Sequence, residues 1–306
     1  MVQLAQIEGF LAVAREGNLS RAATALYVTQ PALTARIAAL EADIGARLFV
    51  RNRRGMTLTQ AGRAYLPHAE RALQSLQRGA ASVAGTVRGS SGELAIGGAP
   101  AVSTYVLPWT LVRFAEARPQ VRLVVRTGHS EEVVEMVLSG EVQVGLIREL
   151  RDPRVVHVPL YEDGLELVAD PSHPLAAEGR MRLDRIGETR LILFDKTSSY
   201  YELTSALFRA AGVTPLGTME LDNIDAAKKM VARRLGVALL PATAVAEEVA
   251  SGRLRRIALI GAPPLRRRIE AVLRRDAEVD AAALGPFMDL LRTIPGYVPG
   301  AVAIGT

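Results

Sequence analysis

Residues 18–62 read NLSRAATALYVTQPALTARIAALEADIGARLFVRNRRGMTLTQAG. Ser20 is a good N-cap for a short helix that carries Ala22, Ala23 and Leu26 on one face. Val28 fills the turn after it. Thr29 caps a second helix with Pro31 in its first turn, where a missing N–H costs nothing. Leu33, Ile37, Leu40 and Ile44 recur at helical spacing, which predicts a core-facing stripe, and Gly45 is placed to end it. The opposite face offers Gln30, Thr34, Ala35 and Ala38, all small or able to hydrogen-bond, as suits a helix that must approach another surface closely. Two short helices, a tight turn and a small outer face describe a helix-turn-helix, whose second helix enters the major groove of DNA. Leu48–Val50 and Met56–Leu58 are spaced to pair around Asn52-Arg53-Arg54-Gly55, which makes a basic wing.

A wider set of positions then becomes specific. Phe10, Val13, Ala14, Gly17, Ala22-Ala23, Leu26, Gln30-Pro31-Ala32, Ile37, Leu40-Glu41, Gly45, Leu48-Phe49, Arg51, Leu58-Thr59 and Ala61-Gly62 resemble the N-terminal signature of LysR-type transcriptional regulators. Thr29 and Thr34 stand where serine is commoner, and both keep the hydroxyl. Gln30, Pro31, Thr34 and Arg36, off the buried stripe, are expected at the major groove of double-stranded DNA. Ser20 and Thr29 join that set. Arg51, Arg53 and Arg54 are expected to meet phosphates or the minor groove from the wing and its flank.

At 306 residues, 49% hydrophobic and 23% charged, the chain is long enough for about two domains with real cores. It has no cysteine, which excludes a disulfide framework and a thiolate metal site. Gln3, Gln6, Glu8 and Arg15 interrupt the first apolar segment, so it does not read as a signal peptide. The longest apolar run, Gly236 to Ala246, is too short to span a bilayer and contains Pro241. A cytoplasmic protein without a membrane span is expected. Net charge is +5, and residues 1–65 hold eight arginines against four acidic residues, a basic excess in the module that would meet phosphate.

A first helix over 3–16 places Leu4, Ile7, Leu11 and Ala14 at helical spacing. After the wing, Thr59 opens a long helix in which Leu66, Ala69, Leu73, Leu76, Ala80 and Val83 form a heptad seam. Pro67 should kink or loosen its first turns. A helix from 59 to 87 would reach roughly 40 Å at about 1.5 Å per residue. Its seam packs either on its own domain or on a second copy. The small residues Gly85, Gly89, Ser90, Ser91 and Gly92 detach it from the region downstream and favour a dimer coiled coil. LysR-type proteins use the equivalent helix for dimerisation.

From Glu93 onward short β-rich runs alternate with helices. Strands are expected at 94–96, 121–125, 142–147, 155–160, 165–169, 191–194, 218–221, 237–240 and 269–273. Helices are expected near 103–117, 131–139, 199–211, 224–234, 243–250 and 280–293. Such alternation implies parallel-rich sheets with ligands at the carboxyl ends of strands. The region resembles the LysR-type effector domain through Gly92…Ile96-Gly97, Leu107-Pro108, Phe114…Pro119, Gly140-Glu141, His173-Pro174 and Gly236…Leu240-Pro241. The resemblance implies an α/β fold of two lobes, like periplasmic binding proteins, behind an all-α winged helix-turn-helix and a linker helix. The expected boundaries are 1–58 for the DNA-binding domain, 59–89 for the linker helix and 90–306 for the effector domain. Lobe I would take about 92–162 and 266–297, and lobe II about 163–265.

In that fold a small-molecule effector lies between the lobes. Ser103, Thr104, Thr127, His129 and Arg148 are the candidate contacts from lobe I, and Thr197, Ser198, Tyr200 and Asn223 from lobe II. Helix N-termini favour anions, and Arg148 is suited to clamp a carboxylate. For the hydroxyl residues helix capping is the competing role, and for Arg148 it is an ion pair with Glu149 or another acid. Gly98-Ala99-Pro100-Ala101-Val102 lacks the serine or threonine common in that loop, which points to a more apolar wall or to reliance on lobe II. The four histidines are scattered without metal-like spacing, no catalytic constellation appears, and no cofactor or metal is expected. The basic clusters 233–234, 253–256 and 266–268 read as solvated faces. The expected protein is a LysR-type regulator that binds DNA as a homodimer or homotetramer under effector control. A solute-binding protein or enzyme on the same fold, and a constitutive DNA-binding protein with a vestigial pocket, are the alternatives.

Overall fold

A computed structural model describes residues 1–52, 55–87, 92–194, 198–215, 219–275 and 283–305. The chain divides into an N-terminal unit, Met1–Ser90, and a C-terminal unit built from Ser91–Leu138 and Val142–Thr306.

The N-terminal unit contains α1 (Leu4–Glu16), α2 (Leu19–Ala25) and α3 (Gln30–Ile44), then β1 (Phe49–Asn52), β2 (Gly55–Leu58) and α4 (Gln60–Val87). Asn18, not Ser20, caps α2: its Oδ1 accepts the N–H groups of Ser20 and Arg21 at 2.8 and 3.1 Å. Asn is at least as good a cap as Ser, and starting at Leu19 leaves the Ser20 hydroxyl available to another partner. Thr29 caps α3 as expected, accepting from the Ala32 N–H. Leu33, Ile37 and Leu40 are buried against Phe10, Val13, Ala22 and Leu48, while Ile44 is only partly covered. Each fully buried side chain of this kind contributes about 1.5–3 kcal/mol. Phe10 packs its ring against Phe49 and Tyr65 at 5.2 and 5.3 Å between centroids.

The hairpin β1–β2 begins one residue later than expected, pairing Phe49 with Leu58, because the backbone of Leu48 is engaged elsewhere. Its N–H goes to Glu41 and its carbonyl accepts the Thr59 N–H. Gly55 has φ +117°, and a Cβ there would lie 2.3 Å from the Gly17 carbonyl oxygen, so no other residue fits. Thr59 accepts the Gly62 N–H and starts α4, which runs through Pro67 as one helix. The proximal part of the expected seam is already used: Ala69 is buried in the domain core and Leu66 packs on it. Leu76, further along the helix, is 56% exposed.

The C-terminal unit opens with β3 (Glu93–Gly98), α5 (Pro100–Tyr105), α6 (Leu107–Ala117), β4 (Arg122–Thr127), α7 (Ser130–Leu138) and β5 (Val144–Arg148). The expected helix over 103–117 is thus two helices, the second beginning around Pro108. Next come β6 (Val155–Ala169), α8 (Pro174–Glu178), β7 (Arg180–Arg182), β8 (Leu191–Phe194), α9 (Ser199–Ala210), β9 (Met219–Leu221), α10 (Ile224–Ala232), β10 (Val237–Pro241) and α11 (Ala242–Ala250). The remaining elements are β11 (Arg255–Ile260), β12 (Arg266–Arg274), α12 (Leu284–Arg292) and β13 (Ala301–Val302).

One sheet runs β4-β3-β5-β12-β6, with β3 parallel to both β4 and β5 and β12 antiparallel to its neighbours. A second runs β6-β10-β8-β9, with β11 also on β6. The two strands expected at 155–160 and 165–169 are a single strand shared by both sheets. Asp163-Gly164 reads as a turn in isolation, but its backbone is held extended by pairing with Arg267 and Arg266. Asp163 is buried and accepts the Thr243 N–H and hydroxyl at 3.2 and 2.8 Å. Strand β12 returns beside it, so both sheets meet where β6 and β12 pass between them. The short elements α8, β7, β11 and β13 carry no clear signal in the sequence. In β11 the arginines at 255 and 256 lead the strand and hide its alternation, although Ile257 is buried.

Candidate nucleic-acid interface and ligand cavity

The outer face of α3 presents Gln30, Pro31 and Thr34, all exposed, beside the small exposed Ala35 and Ala38. The Ser20 hydroxyl donates to Gln30 Oε1 at 2.9 Å. This contact engages the amide oxygen, and the NH₂ group has no partner among the described residues, so it is available to donate. Thr34 donates its hydroxyl proton to the Gln30 carbonyl at 2.9 Å, which leaves the oxygen lone pairs to accept. Arg36 is half-buried, and its Cβ lies near the place a side chain on Gly9 of α1 would take. At about 100° per residue it falls on the flank of the stripe opposite Gln30 and Thr34. Arg51 is exposed on β1, and Arg53 and Arg54 lie outside the described residues. Tyr27 is not among the contacts expected from sequence. It is 97% exposed in the turn before α3 with φ +54°, a left-handed backbone that a tyrosine rarely adopts. A large aromatic between Leu26 and the capping Thr29 is its only sequence signal.

Within the C-terminal unit a cavity of about 650 Å³ opens where the two sheets meet. Six of the nine expected residues line it: Thr104, His129, Arg148, Ser198, Tyr200 and Asn223. Ser103 does not; its hydroxyl donates to the Gly98 carbonyl at 3.0 Å. Thr127 is exposed at the end of β4 and also stays out of the lining, and Thr197 lies outside the described residues. Helix capping by Ser198 and Asn223, and a bond from Thr104 back along its own helix, engage part of this set. Ser198 accepts the Tyr200 N–H, Asn223 accepts the Ala226 N–H, and Thr104 donates to the Pro100 carbonyl. Ala99, Pro100 and Ala101 form an apolar wall, as the loop sequence suggests.

Arg148 forms an ion pair with Glu131 of α7 at 2.5 Å rather than with Glu149, whose carbonyl it also meets at 3.4 Å. Arg267 enters the cavity from β12. Its guanidinium lies 4.1 Å over the Tyr200 ring and donates to the phenol oxygen. Burial, opposed by that guanidinium, pushes the Tyr200 hydroxyl up to about 12. In sequence Arg267 belongs to a run that reads as a solvated face, but period two along a strand sends it to the face opposite Arg266 and Arg268. On the far wall the Tyr105 hydroxyl donates to Asp225 at 2.7 Å, and Lys228 lies 4.7 Å over the Tyr105 ring. Burial first, then Asp225, raises the Tyr105 phenol well above its usual range. That hydrogen bond in turn is the largest cause holding Asp225 low.

Two family models match the chain. Residues 4–63 match the bacterial regulatory helix-turn-helix protein of the lysR family, and residues 88–294 match the LysR substrate binding domain. The chain belongs to the LysR family of transcriptional regulators. It is 32% identical over 279 residues to a probable hydrogen peroxide-inducible genes activator of Mycobacterium avium, covering 90% of this chain and 89% of that one. It is 36% identical over 258 residues to the SDS degradation transcriptional activation protein of Pseudomonas sp. (strain ATCC 19151), covering 83% and 84%. Full-length CbnR in complex with its target DNA superposes with a TM-score of 0.74 at 26% identity, over 95% of this chain and 99% of that one. Among LysR proteins the N-terminal unit is the DNA-binding part and the two-lobed unit the effector-binding part, and these relatives are transcriptional regulators rather than solute-binding proteins or enzymes. No helix among the described residues is long and apolar enough to cross a membrane.

Proposed function

We propose that this regulator reads its operator with Gln30, Pro31 and Thr34 in the major groove and with Arg51, Arg53 and Arg54 on the flanking backbone. The observation that carries this reading is the Ser20–Gln30 hydrogen bond, which fixes an exposed amide in the first turn of α3. Gln can pair bidentately with adenine, and its unengaged NH₂ supplies the donor such a pair needs. Two copies join through the distal part of α4 around Leu73 and Leu76, and pairs of dimers set half-site spacing on DNA. The protein acts in the cytoplasm as a non-enzymatic switch.

Its signal is a small molecule held in the cavity by Arg148, Tyr200, His129 and Thr104. One relative is named for peroxide induction, but this chain has no thiol to oxidise. That favours reversible binding as its signal. A ligand that fits one arrangement of the lobes better than another shifts the population and with it the DNA complex. A thermal-shift screen of small organic acids, aromatics and amines on the full chain tests the assignment. Thr104→Trp fills the cavity from an exposed position without touching the core. A compound that stabilises the parent and not Thr104→Trp supports the cavity; equal stabilisation of both places the ligand elsewhere.

A further inference from the structure

The cavity's own charges restrict what can enter it. Four carboxylates line it, those of Glu131, Glu202, Asp222 and Asp225, against the two guanidinium groups of Arg148 and Arg267, with Lys228 paired to Asp225 at 3.3 Å behind the wall. Both cations are engaged: Arg148 with Glu131, and Arg267 on the face and hydroxyl of Tyr200. Among the described residues the Glu202 and Asp222 side chains have no ion-pair or hydrogen-bond partner. The helix N-termini facing the cavity would ordinarily attract an anion. Here three of them already carry a carboxylate in the first turn, Glu131 in α7, Glu202 in α9 and Asp225 in α10, while the short α5, which opens on the apolar Ala99–Ala101 wall, carries none.

A simple carboxylate would therefore have to displace Glu131 from Arg148 and leave that acid among three others. A cation alone would gain the acids but leave Arg148 as it stands. We infer that the cavity selects a zwitterion, a molecule carrying an ammonium group as well as a carboxylate, which inserts into the Arg148–Glu131 ion pair, so that Glu131 is a specificity-determining residue. The ligand carboxylate takes the Arg148 fork, the ammonium takes the released Glu131, and the net charge of the site does not change. Glu131 is free to turn, being 59% exposed against 26% for Arg148. The inference rests on the cavity being the effector site, and it adds the ligand's class and the residue that sets it.

Calorimetry on the full chain tests it with five probes: L-phenylalanine, L-glutamine, benzoate, succinate and putrescine. The parent protein should favour at least one amino acid over both acids. In Glu131→Gln the ratio of amino-acid to acid affinity should fall at least tenfold, because the glutamate no longer competes for Arg148 and the ammonium has no partner. Arg148→Met should weaken the amino acids at least tenfold. An acid that binds the parent as tightly as it binds Glu131→Gln, or putrescine as the preferred ligand of the parent, overturns the zwitterion assignment and leaves the cavity as a binding site. If no probe binds any of the three proteins, the assignment falls. Should a compound found by thermal shift stabilise Thr104→Trp equally, the cavity reading falls as well.

Discussion

Glu41 in the last turns of α3 and Leu48 at the root of the wing are joined by a buried hydrogen bond of 2.8 Å. The same carboxylate oxygen takes the Phe49 N–H at 3.2 Å, and its partner oxygen meets Arg47 at 3.4 Å. One side chain therefore fixes the angle between the helix that would read DNA and the hairpin beside it. Glu41→Ala leaves two buried N–H groups without an acceptor, at about 1–3 kcal/mol each. Urea titration should show the loss in the N-terminal unit, and Glu41→Gln, which keeps one oxygen, should lose less. An alanine variant as stable as the parent would mean that those N–H groups find other acceptors.

The wing makes an electrostatic prediction. If Arg53 and Arg54 reach phosphates, changing both to glutamine should reduce the slope of log affinity against log salt by roughly 0.9 for each phosphate no longer neutralised. Fluorescence anisotropy with a labelled duplex at several salt concentrations measures this. An unchanged slope removes the wing tip from the DNA.

The two halves of the α4 seam should respond differently to a charge. Leu66 packs on the Phe10 core, so Leu66→Asp should unfold the DNA-binding unit. Leu76 is 56% exposed, and paired Leu73→Asp and Leu76→Asp changes should leave that unit folded while splitting the assembly. Light scattering decides it; an intact assembly in the double variant moves the principal contact elsewhere.

Asp163 gives a pH dependence of known sign. Burial is the largest effect on its carboxyl and raises its affinity for a proton, partly offset by the two hydrogen bonds from Thr243. Above the ordinary aspartate range the folded protein therefore holds this proton longer than the unfolded chain. Its contribution is full at low pH and is lost as pH rises through the folded value, at up to about 1.4 kcal/mol per pH unit. Asparagine at 163 cannot titrate, so Asp163→Asn should lack this component when urea titrations are repeated from acid to neutral pH. Parallel pH profiles for the two proteins would contradict it.

The N-terminal unit is legible in sequence because its signals are local. Thr29, Pro31, the Leu33/Ile37/Leu40 stripe and Gly45 each constrain their own turn of helix. Where two local caps compete, as Asn18 and Ser20 do, the sequence alone names the wrong one. The seam of α4 is ambiguous for a different reason: an apolar stripe does not say which surface covers it, and Leu66 and Leu76 have different answers. Helix starts and strand ends point to about half of the cavity. Arg267, Glu131 and Asp225 escape because charged side chains on an exposed run and inside a cleft look alike until the lobes are brought together. The continuous β6 escapes because Asp163-Gly164 is extended only through its pairing with β12.

Selection from random duplexes by the full chain tests most directly whether the Gln30 face of α3 reads base sequence. The parent should enrich a defined motif with two related half-sites. Gln30→Ala should fold normally yet lose preference at one or two positions in each half-site, at about 1–3 kcal/mol per base contact. Ser20→Ala, which frees the amide, should weaken the preference at the same positions by less. A parent that enriches no motif, or a Gln30→Ala variant that enriches the same motif with the same strength, would contradict base reading by this face.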